Sequence, residues 1–358
     1  MGHPVRTVTT TEAQDKEPVD PEGLAGYLAE HHPGSSGLFE LERLGAGQSC
    51  LTYMVRGDGW RLVLRRPPRG DLPPSAFDVR REYRVMRALH DHHAPVPVPK
   101  PLSLCTDESV IGANFYLMEP VAGRVVRSEV PPELDAPEER ARMSEALVET
   151  LVDLHAVDYR AVELEGFGKP EGYLGRQLRR MNQLWELAKF RDIPEIDEVG
   201  AWLAARVPVT PSHSIVHGDY KLDNVILAPE PPVRIVAVVD WEMSTLGDPL
   251  ADLGWMLYFW FDPGDEQFGL SVATVTDQDG FLRRREMLER YVKGSGVDPT
   301  DIAWYIALAG WKIAIIMEGS YRRFLGGVTD HPEFARLEEG VKVLARRSAQ
   351  AMRGEFGL

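Results

Sequence analysis

Short runs of apolar residues alternate with polar residues in the first third of the chain. Phe39 to Leu44, Leu51 to Val55 and Trp60 to Leu64 have the length and apolar content of strands, and turns that contain glycine separate them. Phe115 to Met118 is a further apolar run that leads into a glycine turn. The pattern therefore predicts a small antiparallel sheet in the N-terminal part of the protein.

Apolar residues recur at a spacing of three and four in other segments, which is typical of helices. Asp20-Pro21 has a cap residue before proline and predicts the start of a first helix. Further helices are predicted at Ser75–His90, Asp135–His155, Tyr173–Lys189, Ile196–Arg206, Leu253–Phe261, Gly280–Val292, Asp301–Glu318 and Pro332–Met352. We expect an α+β protein in which most helices follow the strands.

Polar residues follow two apolar runs, Ile215-Val216 and Ile235 to Val239, at the positions where buried strands would end. A carboxylate in a loop can accept a proton, and an amide oxygen with a second carboxylate can bind a hard cation such as Mg²⁺. These groups are the minimum that phosphoryl transfer requires. In chain order the set is His217, Asp219, Lys221, Asn224 and Asp240.

A glycine-containing turn joins the first two predicted strands. Its glycines would let backbone N–H groups approach a triphosphate closely. A dinucleotide-binding fold would need a helix after this turn, but Leu51 to Val55 has the pattern of a strand. The arrangement is therefore strand, loop, strand, and the candidate phosphate-binding residues are Gly45, Gly47, Gln48 and Ser49.

The polar set resembles the H-R-D-x-x-x-x-N and D-F-G motifs of protein kinases. The chain has His217-Gly218-Asp219 with Asn224, and then Asp240-Trp241-Glu242. Glycine in the second place, the D-W-E ending and the later G-D-P-x-x-D-L at 247–253 are similar to aminoglycoside phosphotransferases and choline kinases. The loop G-Q-S-x-x-T-Y and the run L-R-x-x-P most resemble the kinase-like domains associated with acyl-CoA dehydrogenases.

This resemblance implies a two-lobed, protein-kinase-like fold. Residues 1–18 would form a disordered tail, 19–119 a nucleotide-binding lobe and 120–358 a catalytic and substrate-binding lobe. The resemblance implies that Asp219 is the general base and that Asn224 and Asp240 hold Mg²⁺. Lys221 would steady the transferred phosphoryl group, and His217 would fix the loop by hydrogen bonds.

The resemblance also implies the nucleotide contacts, with ATP as the nucleotide and GTP as the alternative. Kinases usually have a lysine at the end of the third strand, where this chain has Arg65; Arg66 is left open as the alternative. Glu82 would pair with this cation. The hinge between the lobes would contact adenine through Met118 and through the backbone of Glu119 and Val121.

The amino-acid composition limits the kinds of partner that we expect for this protein. The 358 residues carry a net charge of −15 with a sequence pI near 5.2, so no basic stripe is available for nucleic acid. The two cysteines form no C-x-x-C pair, and a cytoplasmic protein is expected. No run of eighteen apolar residues predicts a membrane helix. The sequence does not predict the oligomeric state.

The acceptor is predicted only as a small molecule with a hydroxyl group. Acidic residues in the region where related kinases hold their acceptor favour an amino sugar or another cation: Asp262, Asp265, Glu266 and Glu318. The resemblance to domains associated with acyl-CoA dehydrogenases favours a hydroxyacyl-CoA instead. A nucleotide-binding regulator without catalysis is the alternative class. A hydrolase would need a nucleophile elbow such as G-x-S-x-G, and none is found.

Overall fold

The computed structural model describes residues 19–35, 37–44, 50–68, 78–269, 272–329 and 332–358. The chain divides into two compact units. The first runs as far as Ala122 and also contains Asp240–Glu242, and the second contains Gly123–Val239 and Met243–Leu358. The predicted tail, residues 1–18, lies outside the described residues, and the predicted boundary at 119/120 stays a prediction.

The first unit is built on a five-stranded antiparallel sheet with the strand order β1-β2-β3-β5-β4. Asp58-Gly59 forms the tight turn between β2 and β3, and Gly59 has the positive φ of +79° that such turns favour. The strands are β1 Phe39–Leu44, β2 Leu51–Gly57, β3 Trp60–Arg66, β4 Pro101–Cys105 and β5 Phe115–Met118. The sequence did not predict β4, which begins with proline and lies at the sheet edge, where proline is tolerated.

Two helices complete the first unit. Helix α1, Pro21–His31, begins at the predicted position because the Asp20 carboxylate accepts hydrogen bonds from the N–H groups of Glu22 and Gly23. Helix α2, Val79–Asp91, starts after the cap residue Asp78, later than the predicted Ser75. Residues 69–77 are outside the described part. Helix α2 packs on β4 and β5.

The second unit is mainly helical. Its helices are α3 Pro137–Ala156, α4 Tyr173–Ala188, α5 Pro194–Ala205, α6 Pro249–Tyr258, α7 Arg284–Ser295, α8 Ile302–Leu325 and α9 Leu337–Met352. Two short antiparallel pairs, β6 with β9 and β7 with β8, carry the polar residues identified in the sequence. These strands are β6 Ser214–Val216, β7 Val225–Leu227, β8 Ile235–Val238 and β9 Thr245–Gly247.

The predicted bounds of α6 to α9 in the second unit were wrong. Helix α6 spans Pro249–Tyr258 rather than Leu253–Phe261, because the Asp248 carboxylate caps its start by accepting from the Leu250 N–H. Helix α7 begins at Arg284 rather than Gly280, because Gly280 adopts a left-handed φ of +98° that ends the preceding turn. Helix α8 continues past Glu318 to Leu325, since Ser320 and Tyr321 extend its buried face. Helix α9 begins at Leu337, after a 3₁₀ turn over Pro332–Arg336.

Helix α8 forms the centre of the helical unit and packs against α4, α5, α6 and α9. Gly310 lies against the ring of Tyr258, where a Cβ would approach within 2.4 Å of a ring carbon. Among the described helices, α8 alone is long and apolar enough to cross a membrane, but 78% of its most apolar window is buried inside the protein. Burial by neighbouring helices explains this apolar composition.

Candidate active site

The segment His217-Gly218-Asp219 follows buried strand β6 and is fixed by one carboxylate. Asp252, in the first turns of α6, accepts hydrogen bonds from the backbone N–H of His217 at 2.6 Å and of Gly218 at 2.8 Å. The His217 ring lies 3.0 Å from the Val239 carbonyl through Nε2 and accepts from the Asp219 N–H through Nδ1. Both ring nitrogens therefore bind backbone, which fits a positioning role for His217.

Asp219 is the centre of a dense hydrogen-bond network. Lys221 Nζ lies 2.8 and 2.7 Å from its two carboxylate oxygens. The Trp255 indole N–H donates to Oδ1 at 2.8 Å, and the Asn224 amide donates to Oδ2 at 2.7 Å. Burial acts to raise the pKa of Asp219, but Lys221, His217 and the hydrogen bond from Asn224 hold it below its ordinary value. The carboxylate is therefore ionised at neutral pH.

The orientation of Asn224 leaves its amide oxygen available. Asn224 Nδ2 donates to the Asp219 carboxylate and, at 2.8 Å, to the Asp219 carbonyl. Because the nitrogen makes both bonds, Oδ1 points to the other side of the amide plane, and it accepts no hydrogen bond from any residue that the structure describes. Asn224 is held at this position by strand pairing, since its carbonyl accepts from Val239 N at 3.0 Å.

Gly218 is required by the shape of this loop, so Gly218→Ala is expected to destabilise the protein by about 1–3 kcal/mol and to lower any turnover. Its φ is +87°, and an added Cβ would lie 2.6 Å from the Met243 carbonyl oxygen. Chemical denaturation measures the stability change. Gly296→Ala is the matched control, because Gly296 has φ +70° and nothing within 4 Å. Equal losses in the two variants would contradict the close-packing argument.

A second charged cluster lies within the first unit. Arg65 Nε is 2.8 Å from Glu82 Oε2, and Arg65 Nη2 is 2.6 Å from Asp240 Oδ1. The Tyr116 hydroxyl donates to Glu82 at 3.0 Å. Glu82 is only 1% exposed, and burial raises its pKa even though Arg65 acts in the opposite direction. Arg65 is 13% exposed.

The geometry separates the two arginines that the sequence left as alternatives. Arg66 is fully buried, and its guanidinium donates to the Pro67 carbonyl at 3.0 Å and to the Tyr53 hydroxyl at 3.3 Å. Adjacent residues of a strand face opposite sides of the sheet. Arg65, and not Arg66, therefore forms the ion pair with Glu82.

Asp240 directly follows Val239 in the chain and has a left-handed φ of +68°. This conformation is uncommon for a residue with a side chain and is often found at functional sites. One carboxylate oxygen, Oδ1, accepts from Arg65, and the side chain is 29% exposed. Oδ2 is thus the oxygen of Asp240 that remains for a ligand.

The predicted hinge residues follow β5. Met118 lies opposite Val63 in the sheet. The Glu119 N–H donates to the Lys100 carbonyl at 2.9 Å, and its carboxylate pairs with Lys100 Nζ at 2.7 Å. Among the described residues, the Val121 N–H has no hydrogen-bond partner. The predicted phosphate loop lies outside the described residues: Gly45, Gly47, Gln48 and Ser49.

The four acidic residues suggested for acceptor binding all contact arginines. Asp262 and Asp265 pair with buried Arg284, with Asp262 Oδ2 at 3.3 Å from Arg284 Nε. Glu266 pairs with Arg346 at 2.7 Å. Glu318 is buried and pairs with Arg191 at 2.8 Å. These arginines neutralise the acidic region, so its contacts do not favour a cationic acceptor, and the substrate role of the four residues stays a prediction.

Sequence reasoning missed three residues near Asp219. Trp255 donates to its carboxylate, and Lys312 lies over the Trp255 ring. The Asp223 side chain is 9% exposed, and this burial raises its pKa to about 6. Trp255 follows the G-D-P-x-x-D-L motif at helical spacing from Asp252, which is a signal for a shared helix face. Lys312 is the one charged residue in the apolar run from Ile302 to Met317 of its helix, which is also visible in the sequence.

A model of the phosphotransferase enzyme family matches residues 40–287, which is more than half of the chain. The chain belongs to this family. The predicted resemblance to small-molecule kinases is confirmed, and the chain is a small-molecule phosphotransferase of the kinase-like fold.

Relatives and solved structures agree with this membership. The chain is 35% identical over 95% of its length to acyl-CoA dehydrogenase family member 11 of Gallus gallus, but covers 44% of that protein. It thus spans less than half of this relative. A solved candidate aminoglycoside phosphotransferase of Ralstonia eutropha has 32% identity and a TM-score of 0.76, covering 93% of this chain and 99% of the other. Choline kinase of Cryptosporidium parvum, with 11% identity and a TM-score of 0.64 over 94% and 98%, shares the fold.

Proposed function

We propose that this phosphotransferase moves the γ-phosphate of ATP to a hydroxyl group of a small molecule. Asp219 takes the proton of the hydroxyl, the acceptor oxygen forms a bond to phosphorus, and the bond between the β–γ bridging oxygen and phosphorus breaks to leave ADP. The observation that carries this proposal is the Asp219 carboxylate itself. It is kept ionised and oriented by Lys221, Asn224 and Trp255.

The available oxygens fit Mg²⁺. Asn224 Oδ1 accepts no hydrogen bond within the described residues, and Asp240 Oδ2 is left when Oδ1 accepts from Arg65. An amide oxygen and a carboxylate oxygen are hard ligands that suit this cation. Asn224 and Asp240 would hold Mg²⁺, which when bound neutralises charge on the nucleotide phosphates.

In this proposal, residues of the first unit bind the nucleotide. Arg65 would contact the α and β phosphates, because its guanidinium has five N–H donors and Glu82, Asp240 and the Thr52 hydroxyl occupy only part of them. The Val121 N–H, which has no hydrogen-bond partner within the described part of the chain, is the donor for the adenine ring. GTP in place of ATP would require a different hydrogen-bond pattern at the same backbone positions.

Acceptor screening tests the proposal. Purified protein is incubated with ATP and Mg²⁺ and a panel of amino sugars, amino alcohols, hydroxy acids and hydroxyacyl-CoA thioesters, and ADP formation and product mass are measured. We expect stoichiometric ADP and an acceptor heavier by one phosphoryl group. Nucleotide binding, detected as a thermal shift, without any turnover would instead support a regulator.

The hydroxyacyl-CoA is the second candidate acceptor. Two observations favour it over an amino sugar. Nearly the full length of this chain matches a part of acyl-CoA dehydrogenase family member 11. The acidic side chains that would attract an amino sugar are already paired with arginines.

A further inference from the structure

A cavity of about 350 Å³ lies between helices α4 and α8 in the second unit. Its walls are mostly apolar and include the exposed side chains of Leu187 and Met243. The charged lining groups are both cations, Arg180 on α4 and Lys312 on α8, and none of the described carboxylates lines the cavity. The remaining lining residues are Gln177, Met181, Gln183, Leu184 and Ile316.

Lys312 is buried without a counter-ion. It is 7% exposed and forms no hydrogen bond or ion pair with any residue that the structure describes. Among the residues that the structure describes, its polar contact is with the Trp255 ring, whose centroid is 5.3 Å from Nζ. Burying a charge without a partner is costly. A lysine kept in this state indicates a ligand that supplies the missing negative charge.

The cavity is connected to the candidate base by a single side chain. The Trp255 ring that lies beneath Lys312 donates its indole N–H to Asp219 Oδ1 at 2.8 Å. An anion held by Lys312 would therefore lie beside the same indole that contacts the candidate base. This arrangement suits one molecule that carries a reacting hydroxyl and an anionic group.

The charges around Lys312 come from three elements besides its own helix. Burial lowers the pKa of Lys312 to about 8. Asp252 on α6 opposes this effect, Arg180 on α4 adds to it, and Asp219 in the loop opposes it. Neither carboxylate pairs with the ammonium group, so an anion in the cavity would supply the ion pair that it lacks.

We propose that this cavity binds the acceptor and that Lys312 and Arg180 bind an anionic group on it. The apolar walls, with Leu184 and Ile316, would take a hydrocarbon portion. The acceptor is thus an amphipathic hydroxy compound with a carboxylate or phosphate, not an amino sugar. This inference rests on the proposed function and names its substrate class.

The Lys312→Met variant tests the proposal. We expect KM for an anionic acceptor to rise by about 10–100-fold, the usual value of a hydrogen bond to a charged group. We also expect Tm to rise, because the variant removes a buried charge without a partner. The probes are hydroxyoctanoate, its CoA thioester, neutral octanediol and kanamycin. Preference for the free acid identifies a carboxylate as the anion, and preference for the thioester identifies the phosphates of the carrier.

The matched control is Lys293→Met, which changes an exposed lysine on α7 and is expected to alter neither KM nor Tm.

In the wild type, acceptor affinity should fall as pH rises through about 8, where Lys312 loses its proton, and Lys312→Met should show no such step. The Lys312→Arg variant should keep its affinity for the anionic acceptor above this pH.

Two outcomes would overturn the proposal: better turnover of kanamycin or octanediol than of both anionic probes, or an unchanged KM for the anions in Lys312→Met. Binding is also measured directly by calorimetry, without ATP. If no probe gives ADP but hydroxyoctanoate or its thioester binds in a way that depends on Lys312, phosphotransfer to these acceptors fails while the anion site is supported.

Discussion

Replacement of Asp219 by asparagine is expected to lower turnover by roughly 10² to 10⁴ while leaving the affinity for MgATP nearly unchanged. The amide keeps the size of the side chain and can still accept from Trp255, but it cannot take the proton of the acceptor. Turnover is measured by coupled ADP release at saturating acceptor, and MgATP affinity by calorimetry.

The control for this variant is Asp279→Asn, an equally conservative change at a fully exposed carboxylate. It should leave turnover unchanged. Lys221 contacts both carboxylate oxygens of Asp219 in the wild-type protein. If Asp219→Asn retained wild-type turnover, Asp219 would not be the base, whatever its position in the loop.

The class of fold could be predicted because local signals agreed. Alternating apolar residues predicted β1, β2, β3 and β5, and apolar spacing of three and four predicted the helices of the second unit. Two features were not predicted, because one depends on strand pairing and the other on the backbone conformation of a single residue. Strand β4 depends on pairing with β5, and Pro101 disguises it, while the start of α7 depends on the left-handed turn at Gly280.

Site residues that lie close together in one sequence motif could be predicted. Site residues that come from distant segments of the chain could not. His217, Asp219 and Asn224 lie within eight residues, so their spacing was enough to suggest that they act together. The choice between Arg65 and Arg66 required the register of β3 against the position of Glu82. The cavity of Lys312 and Arg180 depends on the packing of α4 against α8, which no spacing in the sequence specifies.

The acidic residues show that the local charge of a site also could not be predicted from the sequence. The sequence has 55 acidic and 40 basic side chains, and the acidic residues in the region expected to hold the acceptor favoured a cation there. In the structure Asp262, Asp265 and Glu318 pair with arginines that are distant in the chain. Net charge therefore describes the whole surface, while the sign of a cavity depends on which few charges are left without a partner.

Replacement of Arg65 by methionine is expected to lower the free energy of unfolding by about 3–5 kcal/mol, because it leaves buried Glu82 without its cation. MgATP affinity should fall as well, since the proposed phosphate contact is removed. Chemical denaturation and calorimetry measure the two effects. Arg61→Met, an exposed position on the same strand, is the control and should change neither.

The two roles of Arg65 can be separated by a second change at Glu82. In the double variant Arg65→Met with Glu82→Gln no buried charge is left without a partner, so part of the stability should return while MgATP affinity stays low. Arg65→Lys keeps one charge but loses the planar fork, and should show intermediate losses of both. Full recovery of MgATP affinity in the double variant would mean that Arg65 only supports the fold.

The pH dependence of Arg65→Met provides an independent check on this reasoning. Burial already raises the pKa of Glu82, and loss of the arginine should raise it further. The folded state then binds a proton that the unfolded state releases, so stability falls as pH rises above the ordinary glutamate pKa. The deficit relative to wild type should therefore be smaller at about pH 5 than at about pH 8. A deficit independent of pH would show that lost packing of the arginine stem, rather than the unpaired carboxylate, causes the destabilisation.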